Sequence, residues 1–244
     1  MRITRIYTAQ QLSNDTLVVL EPEPSQHLTR VLRLRVGDSV TLFDGSGGAY
    51  PGKITAADKR HVQVLTGSRL QQECESPLSI HLGIAVSRGE RMDWLVQKST
   101  ELGVRSLTPL STEHTGVKLT GDRAAKKIQH WQHIAISACE QCGRNRVPTI
   151  HPLQTLDSWL ESTVAERKFV LHHRGDSNAT AGEAPTSTAL LVGPEGGLSE
   201  GEIETAERAG YISLRLGPRV LRTETAPLAA IAILQSWWGD MGPG

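Results

Sequence analysis

Two short segments limit the folds open to this chain. "KFVLHH" (168–173) and "TALLVG" (188–193) carry unbroken apolar runs rather than the apolar–polar alternation of a strand with one wet face. A strand without alternation must be covered on both sides, and helices returning across a parallel sheet provide that cover. The surrounding sequence supplies such helices. "LSIHLGIAV" (78–86) reads as a strand, followed by "ERMDWLVQKSTELG", a helix with Met92, Leu95, Val96 and Leu102 on one side and Gly103 as its stop. "SLTPL" is the next strand. A long helix from about Asp122 to Gln141 follows, with Ile128, Trp131, Ile134 and Ala138 as its apolar stripe and Gly143 at its end. Ser199 and Glu202 are spaced as a capping box, and Gly210 closes that helix. "YISLRL" is the last strand, and the last helix opens near Thr225, with Pro227 in its first turn where proline is tolerated. The order predicts an α/β domain with a largely parallel sheet.

The first seventy residues differ. "TLVVL" (16–20), "SVTLF" (39–43), "AYPGKITAA" (49–57) and "HVQVL" (61–65) are short β-branched runs separated by Asp44-Gly45 and Gly47-Gly48 turn chemistry. A short helix over "SQHLTRVLRL", with Ser25 as N-cap, interrupts them. A small barrel or sandwich is expected. The polar "SRLQQECESP" (68–77) reads as the linker, which gives domains at 1–72 and 73–244. "GDSNATAGEAPTST" is expected to be a flexible loop.

Composition removes several classes. A chain of 244 residues with 38% hydrophobic content has ample material for a core. No apolar run reaches membrane-spanning length and "MRITRIYTAQ" lacks a leader's apolar region, so a cytoplasmic protein is expected. Cys74, Cys139 and Cys142 make no disulfide framework. The Cys139-x-x-Cys142 pair has no second ligand pair at zinc spacing, so no metal site is expected. Net charge is zero, against wholesale nucleic-acid binding, yet Arg2, Arg5, His27, Arg30, Arg33 and Arg35 cluster near the N-terminus.

Loops leaving the carboxyl ends of parallel strands lie together and form the ligand crevice. Three such loops are unusual here: His172-His173-Arg174-Gly175, Gly193-Pro194-Glu195-Gly196-Gly197, and Gly217-Pro218-Arg219-Val220-Leu221-Arg222-Thr223-Glu224-Thr225. Their glycines allow close backbone approach to a ligand. Neither a dinucleotide fingerprint nor a phosphate-binding P-loop is present, and Glu195 would repel phosphate, so a cationic or zwitterionic ligand fits better.

"LLVGPEGGLSEGEI" followed by "LGPRVLRTETAPLAAIAIL" closely resembles the RsmE family, bacterial 16S rRNA uridine-N3 methyltransferases of the SPOUT superfamily. "ERMDWLVQKSTELGV", "EQCGR" (140–144) and the basic "HLTRVLRLRVGD" (27–38) are similar to that family as well. Three positions depart from its usual pattern: Cys142 stands where Ser is typical, His173-Arg174 replaces Pro and an acidic residue, and His114 stands where Arg commonly follows Glu113.

The resemblance implies a PUA-like N-terminal domain, a C-terminal trefoil knot that binds S-adenosylmethionine, and a homodimer with each active site at the subunit interface. It implies that Leu171, Gly193, Leu216, Val220 and Leu221 contact the adenosine part of the methyl donor. Pro194, Gly196, Gly197 and Gly217 would shape the cradle, with Thr225 and Ala226 closing its base. Glu195 has two readings, a contact with the donor's amino or sulfonium group, or a cap on backbone N–H groups. Arg222 and Arg144 are the candidates for stabilising charge on a deprotonated uracil. His172 and Glu224 are candidate bases without a decision between them. The N-terminal basic residues would meet phosphates of 16S rRNA in the small ribosomal subunit. Lys98 either contacts RNA or pairs with Glu101 on its own helix. Two other readings stay open, a related enzyme acting on another RNA atom such as a ribose 2′-oxygen, and a non-catalytic ribosome-assembly factor.

Overall fold

A computed structural model describes residues 4–58, 60–71, 73–117, 119–172 and 182–242. The chain divides into two compact units, one made of Met1–Glu75 with Cys139–Val147 and the other of Ser76–Ala138 with Pro148–Gly244.

The first unit holds strand β1 (Thr4–Tyr7), β2 (Leu17–Val19), helix α1 (Pro22–Gln26) continued by a π-helical turn over His27–Val31, then β3 (Ser39–Phe43), β4 (Tyr50–Ala57) and β5 (Val62–Thr66). Its sheet has the order β1-β3-β4-β5-β2, with β1 parallel to β3 and the other pairs antiparallel. Among the described residues the ladder is an open path from β1 to β2, not the closed ring of the expected barrel. Ile6, Leu20, Leu28, Leu42, Ile54, Val62 and Val64 form its core, each 2% exposed or less.

Ser25 is not the N-cap that the sequence suggested. Pro22 opens the helix a turn earlier, so Ser25 lies inside it and fully buried. There its hydroxyl donates to Leu20 O at 3.1 Å and accepts from Val62 N at 3.0 Å, tying the helix to two strands.

The segment 139–147, assigned from sequence to the C-terminal domain, groups with this first unit. It meets the edge strand: Tyr7 N–H donates to Glu140 Oε1 at 3.0 Å, and the Arg5 guanidinium donates to Asn145 Oδ1 at 2.7 Å. These bonds occupy one backbone N–H of the edge strand and cover it with chain, one of the ways edges are blunted.

The second unit contains β6 (Ser79–Ala85), α2 (Arg91–Glu101), β7 (Val104–Ser111), α3 (Gly121–Cys142, its end grouped with the first unit), β8 (Thr149–Ile150), β9 (Gln154–Thr155), α4 (Leu156–Ser162), β10 (Arg167–Leu171), β11 (Ser187–Val192), α5 (Glu200–Arg208), β12 (Ile212–Leu214) and α6 (Thr225–Trp238). The strand order is β12-β10-β11-β6-β7-β8, with β9 beside β7, and every pairing is parallel. The unbroken apolar runs explain themselves. Val170, Ala189 and Leu191 pack with Leu156, Trp159 and Ala206 from α4 and α5. Phe169 points the other way and stacks on Trp238 of α6, ring centroids 6.1 Å apart. Each fully buried side chain of this size stabilises the fold by roughly 1.5–3 kcal/mol, so both faces contribute. Gly83 on β6 is required by this cover, since a Cβ there would lie 2.5 Å from the Trp159 ring.

Candidate active site

Because the sheet is parallel, the segments after β6, β7, β11 and β12 emerge at one end of it. The turn after β11 is tight. Gly197 N–H donates to Pro194 O at 2.9 Å, and Gly197 has φ +75°, a conformation that favours glycine. Gly193 is forced as well: a Cβ there would sit 2.9 Å from Leu198 N. The capping box beyond it forms as expected, with Glu202 N–H donating to Ser199 Oγ at 3.2 Å and Ser199 N–H to Glu202 Oε2 at 2.9 Å. Glu202 also accepts from Glu113 N at 2.8 Å, which fixes the segment after β7 to the start of α5.

Glu195 is the electrostatic centre. Its Oε1 accepts from Arg91 Nη1 at 2.6 Å and from Arg88 N at 3.3 Å. Partial burial pushes this carboxyl up. Hydrogen bonds from its own backbone N–H and that of Arg88, with the Arg91 guanidinium, outweigh burial and hold it below its ordinary value. The backbone-capping role of Glu195 is met by Arg88 N–H.

The Arg91 Nε is also 3.9 Å from Glu224 Oε2. One guanidinium therefore spans the loop after β11 and the loop before α6. With Arg91 and Glu195 side chains 44% and 35% exposed, such a pair adds little to stability, and its contribution is to spacing. An open cleft of about 630 Å³ lies here, lined by Arg88, Gly89, Glu90, Arg91, His114, Gly116, Glu195 and Gly196. His114, at a position that departs from the family pattern, has its Nδ1 3.1 Å from Gly197 O.

The last loop turns into α6 through Arg222, whose carbonyl accepts from Thr225 N at 2.8 Å and Ala226 N at 2.9 Å. The Arg222 side chain is exposed and has no ion-pair partner among the described residues. Gly217 has φ +75°, and Val220 is 78% exposed, an apolar side chain that a ligand or partner would cover. Leu216 and Leu221 are half-buried, as is Leu171 at the end of β10. His172 continues that strand, its N–H donating to Leu214 O at 3.4 Å, whereas His173 and Arg174 lie outside the described residues.

The other sequence candidates have the following surroundings within their own units. Arg144 belongs to the first unit and is 3% exposed, with Nε and Nη2 donating to the two oxygens of Glu75 at 2.9 and 2.8 Å. Burial works against its charge, but the bonds and charge of Glu75 prevail and raise its pKa. Arg5 is likewise engaged within its unit, 4.9 Å over the Phe43 ring and bonded to Arg144 O at 3.1 Å. Lys98 pairs with Glu101 at 2.8 Å on its own helix. His27, Arg30 and Arg33 are exposed, and Arg30 and Arg35 border a hollow of about 810 Å³; Arg2 lies outside the described residues.

Arg88 and Arg91 are not among the sequence candidates, although they follow β6 at the same sheet end; the basic pair in "SRGER" was the available signal. No metal-ligand cluster and no helix long and apolar enough to cross a membrane occurs among the described residues. Cys139 is buried and its thiol is pushed up to about 12 by that burial.

Residues 74–235 match the RNA methyltransferase domain family, and residues 20–66 match the RNA methyltransferase PUA domain. A ribosomal RNA small subunit methyltransferase E of Buchnera aphidicola is 34% identical over 98% of this chain and 95% of the relative. A methyltransferase of Legionella pneumophila, solved with its bound cofactor SAM, superposes with TM-score 0.94 at 41% identity, covering 98% of this chain and all (100%) of that one. A ribosomal RNA small subunit methyltransferase E of Neisseria gonorrhoeae, bound to S-adenosyl methionine, gives TM-score 0.93 at 39% identity over 99% of this chain and 100% of that one.

Proposed function

The chain belongs to the RsmE family of ribosomal RNA small subunit methyltransferases, and on that premise we propose that it methylates N3 of a uridine in 16S rRNA with S-adenosylmethionine as donor. The observation that carries this reading is the pair of glycine-shaped loops held together by Arg91, with Arg222 exposed beside them. The residues fit the donor: Gly197 leaves open space where a side chain would stand, and Val220 offers an exposed apolar contact. When bound, the donor supplies an electrophilic methyl on a sulfonium. The chain's part is to hold uracil N3 in line with that methyl and to make N3 nucleophilic. Loss of the N3 proton spreads negative charge over the uracil, and the exposed Arg222 guanidinium is the group that stabilises it. Glu224, with its side chain 19% exposed and near Arg91, is the better placed of the two candidate proton acceptors among the described contacts.

Two further features of the reading have support. β12 lies at the sheet edge beyond β10, yet α6 packs on α2, which connects β6 to β7 on the far side of β11. The loop 215–224 must cross the strand ends to make that journey, which favours a threaded, SPOUT-type C-terminus. In α6, Ala229, Ala232, Ile233 and Trp237 remain partly exposed, and Trp94 of α2 is 44% exposed. A second copy of the chain covering this face accounts for them, hence the homodimer. The first unit, with exposed His27, Arg30 and Arg33, serves as the RNA-holding domain. A cytoplasmic location follows from a ribosomal substrate.

The test incubates the protein and labelled S-adenosylmethionine with small ribosomal subunits lacking the modification, followed by nucleoside mass spectrometry. The expected product is 3-methyluridine. A methyl on a ribose oxygen would move the substrate claim to another atom. Donor binding without transfer, beside an active control enzyme, would favour the assembly-factor reading.

A further inference from the structure

The cleft beside Glu195 continues away from it. Arg88, Gly89, Glu90 and Gly116 also line a second hollow of about 510 Å³, whose other wall is the start of α3 with Arg123, Lys127 and Trp131. A third depression on that helix adds Lys126 and His130. Shared walls make these one groove, running from the loop after β11 to the surface of α3.

Its charges are unevenly engaged. Asp93 is taken at both oxygens, by His130 Nε2 at 2.8 Å and Trp131 Nε1 at 2.9 Å, and Glu195 is taken by Arg91. Glu90 and Asp122, also in the lining, have no side-chain partner among the described residues, and four cations stand against these two acids. Among the described residues the side chains of Arg123, Lys126 and Lys127 have no partner, and the Arg88 guanidinium reaches only Gly116 O, at 3.4 Å. Gly116 leaves room for that approach, since a Cβ there would lie 2.8 Å from the Arg88 guanidinium nitrogens and displace them. An open, elongated groove with uncommitted cations suits a polyanion better than a small anion. Trp131 is 2% exposed and offers no face for stacking a base. Recognition there would be of phosphates.

Resting on the methyltransferase reading, we propose that this groove seats the phosphate backbone of the substrate RNA next to the target nucleotide, with Arg88, Arg123 and Lys127 as its contacts. It is a second anionic contact surface, separate in sequence from the N-terminal basic cluster, and it lies on the unit that carries the donor loops. Phosphate contacts fix register and orientation without reading bases. That is the role needed beside a site that must present one uracil N3 to a fixed methyl.

The test compares Arg123→Gln/Lys127→Gln with Arg105→Gln/Arg208→Gln, which removes the same charge from exposed positions of the same unit outside the groove. Filter binding to unmodified small ribosomal subunits is measured across a salt series, and S-adenosylmethionine affinity by calorimetry. The groove variant is expected to bind subunits about tenfold more weakly, with its log K against log salt slope shallower by about 1–2. Its KM for subunits rises in parallel, while kcat and donor affinity hold. A variant indistinguishable from the control pair in affinity and slope would overturn the proposal. So would a loss of donor affinity, which would assign the groove to the cofactor. If the parent protein binds subunits but transfers no methyl, the enzymatic reading falls, and the binding arm still decides the groove.

Discussion

Arg144 and Arg222 stand in motifs of similar prominence, "EQCGR" and "LRTETA", yet the structure treats them in opposite ways. Arg144 is 3% exposed and locked in a two-point bond with Glu75, inside the first unit. Arg222 is exposed, on the turn into α6, with its carbonyl engaged and its guanidinium free of ion pairs among the described residues. A guanidinium whose donors are already occupied by a carboxylate holds a fold together. One whose donors face solvent beside a ligand loop is available for chemistry. The motif marks both as important, and only burial and partners separate the two kinds of importance.

Substitution at each position tests this contrast. Arg222→Ala is expected to lower kcat by about 100–1000-fold, the cost of losing one preorganised donor to a developing negative charge, with thermal stability and donor affinity nearly unchanged. Arg144→Ala should leave the partly buried Glu75 without its partner and destabilise the protein by about 2 kcal/mol, read by denaturant unfolding. A double change of Arg144→Met with Glu75→Leu should recover most of that loss. If Arg144→Ala instead abolished transfer while melting normally, the contrast would break and both arginines would belong to the chemistry. Next in size, Arg91→Ala frees the loop after β11 from the loop before α6; on the proposed donor site it is expected to weaken S-adenosylmethionine binding about tenfold, with Arg91→Lys intermediate because a point charge cannot span both carboxylates.

Two smaller effects sharpen it. A thiol held at about 12 stays protonated at pH 8, so Cys139 should resist alkylation until the protein unfolds, whereas exposed Cys74 reacts first; peptide mapping reads this. Glu195 has its folded value depressed, so its ties to Arg91 and Arg88 N–H are complete above the unfolded carboxylate value and are lost only as pH falls through the lower folded one. Donor affinity should therefore owe no pH dependence to Glu195 around neutrality, which a calorimetric pH series checks.

Much of the second unit was legible because its signals are local and redundant. Unbroken apolar strands, the Ser199–Glu202 box and the stop glycines Gly103, Gly143 and Gly210 each name a structure without reference to distant residues; all three glycines have positive φ. Short elements escaped. β1 has four residues, and its parallel partner β3 begins at Ser39, so its strand character comes from pairing. α4 has seven residues and was passed over, although Thr155 caps it by accepting from Ser158 N. At the site, glycine-rich loops were readable because backbone freedom is written in residue type. The Arg91–Glu195 contact spans 104 positions and Arg144–Glu75 spans 69. No local spacing encodes such pairs, so neither the Glu75 partner of Arg144 nor the Glu195 partner of Arg91 was legible in the sequence.

Gln235 is fully buried in α6, donating to Leu102 O at 2.9 Å and accepting from Ser76 Oγ at 2.6 Å. Gln235 thereby closes contacts that span 159 and 133 positions. Contacts of such sequence separation form slowly. The seating of α6 on α2 is therefore expected to be a late step of refolding, made after the central strands have found one another, and whatever shape the loop before α6 takes is inherited from that last event.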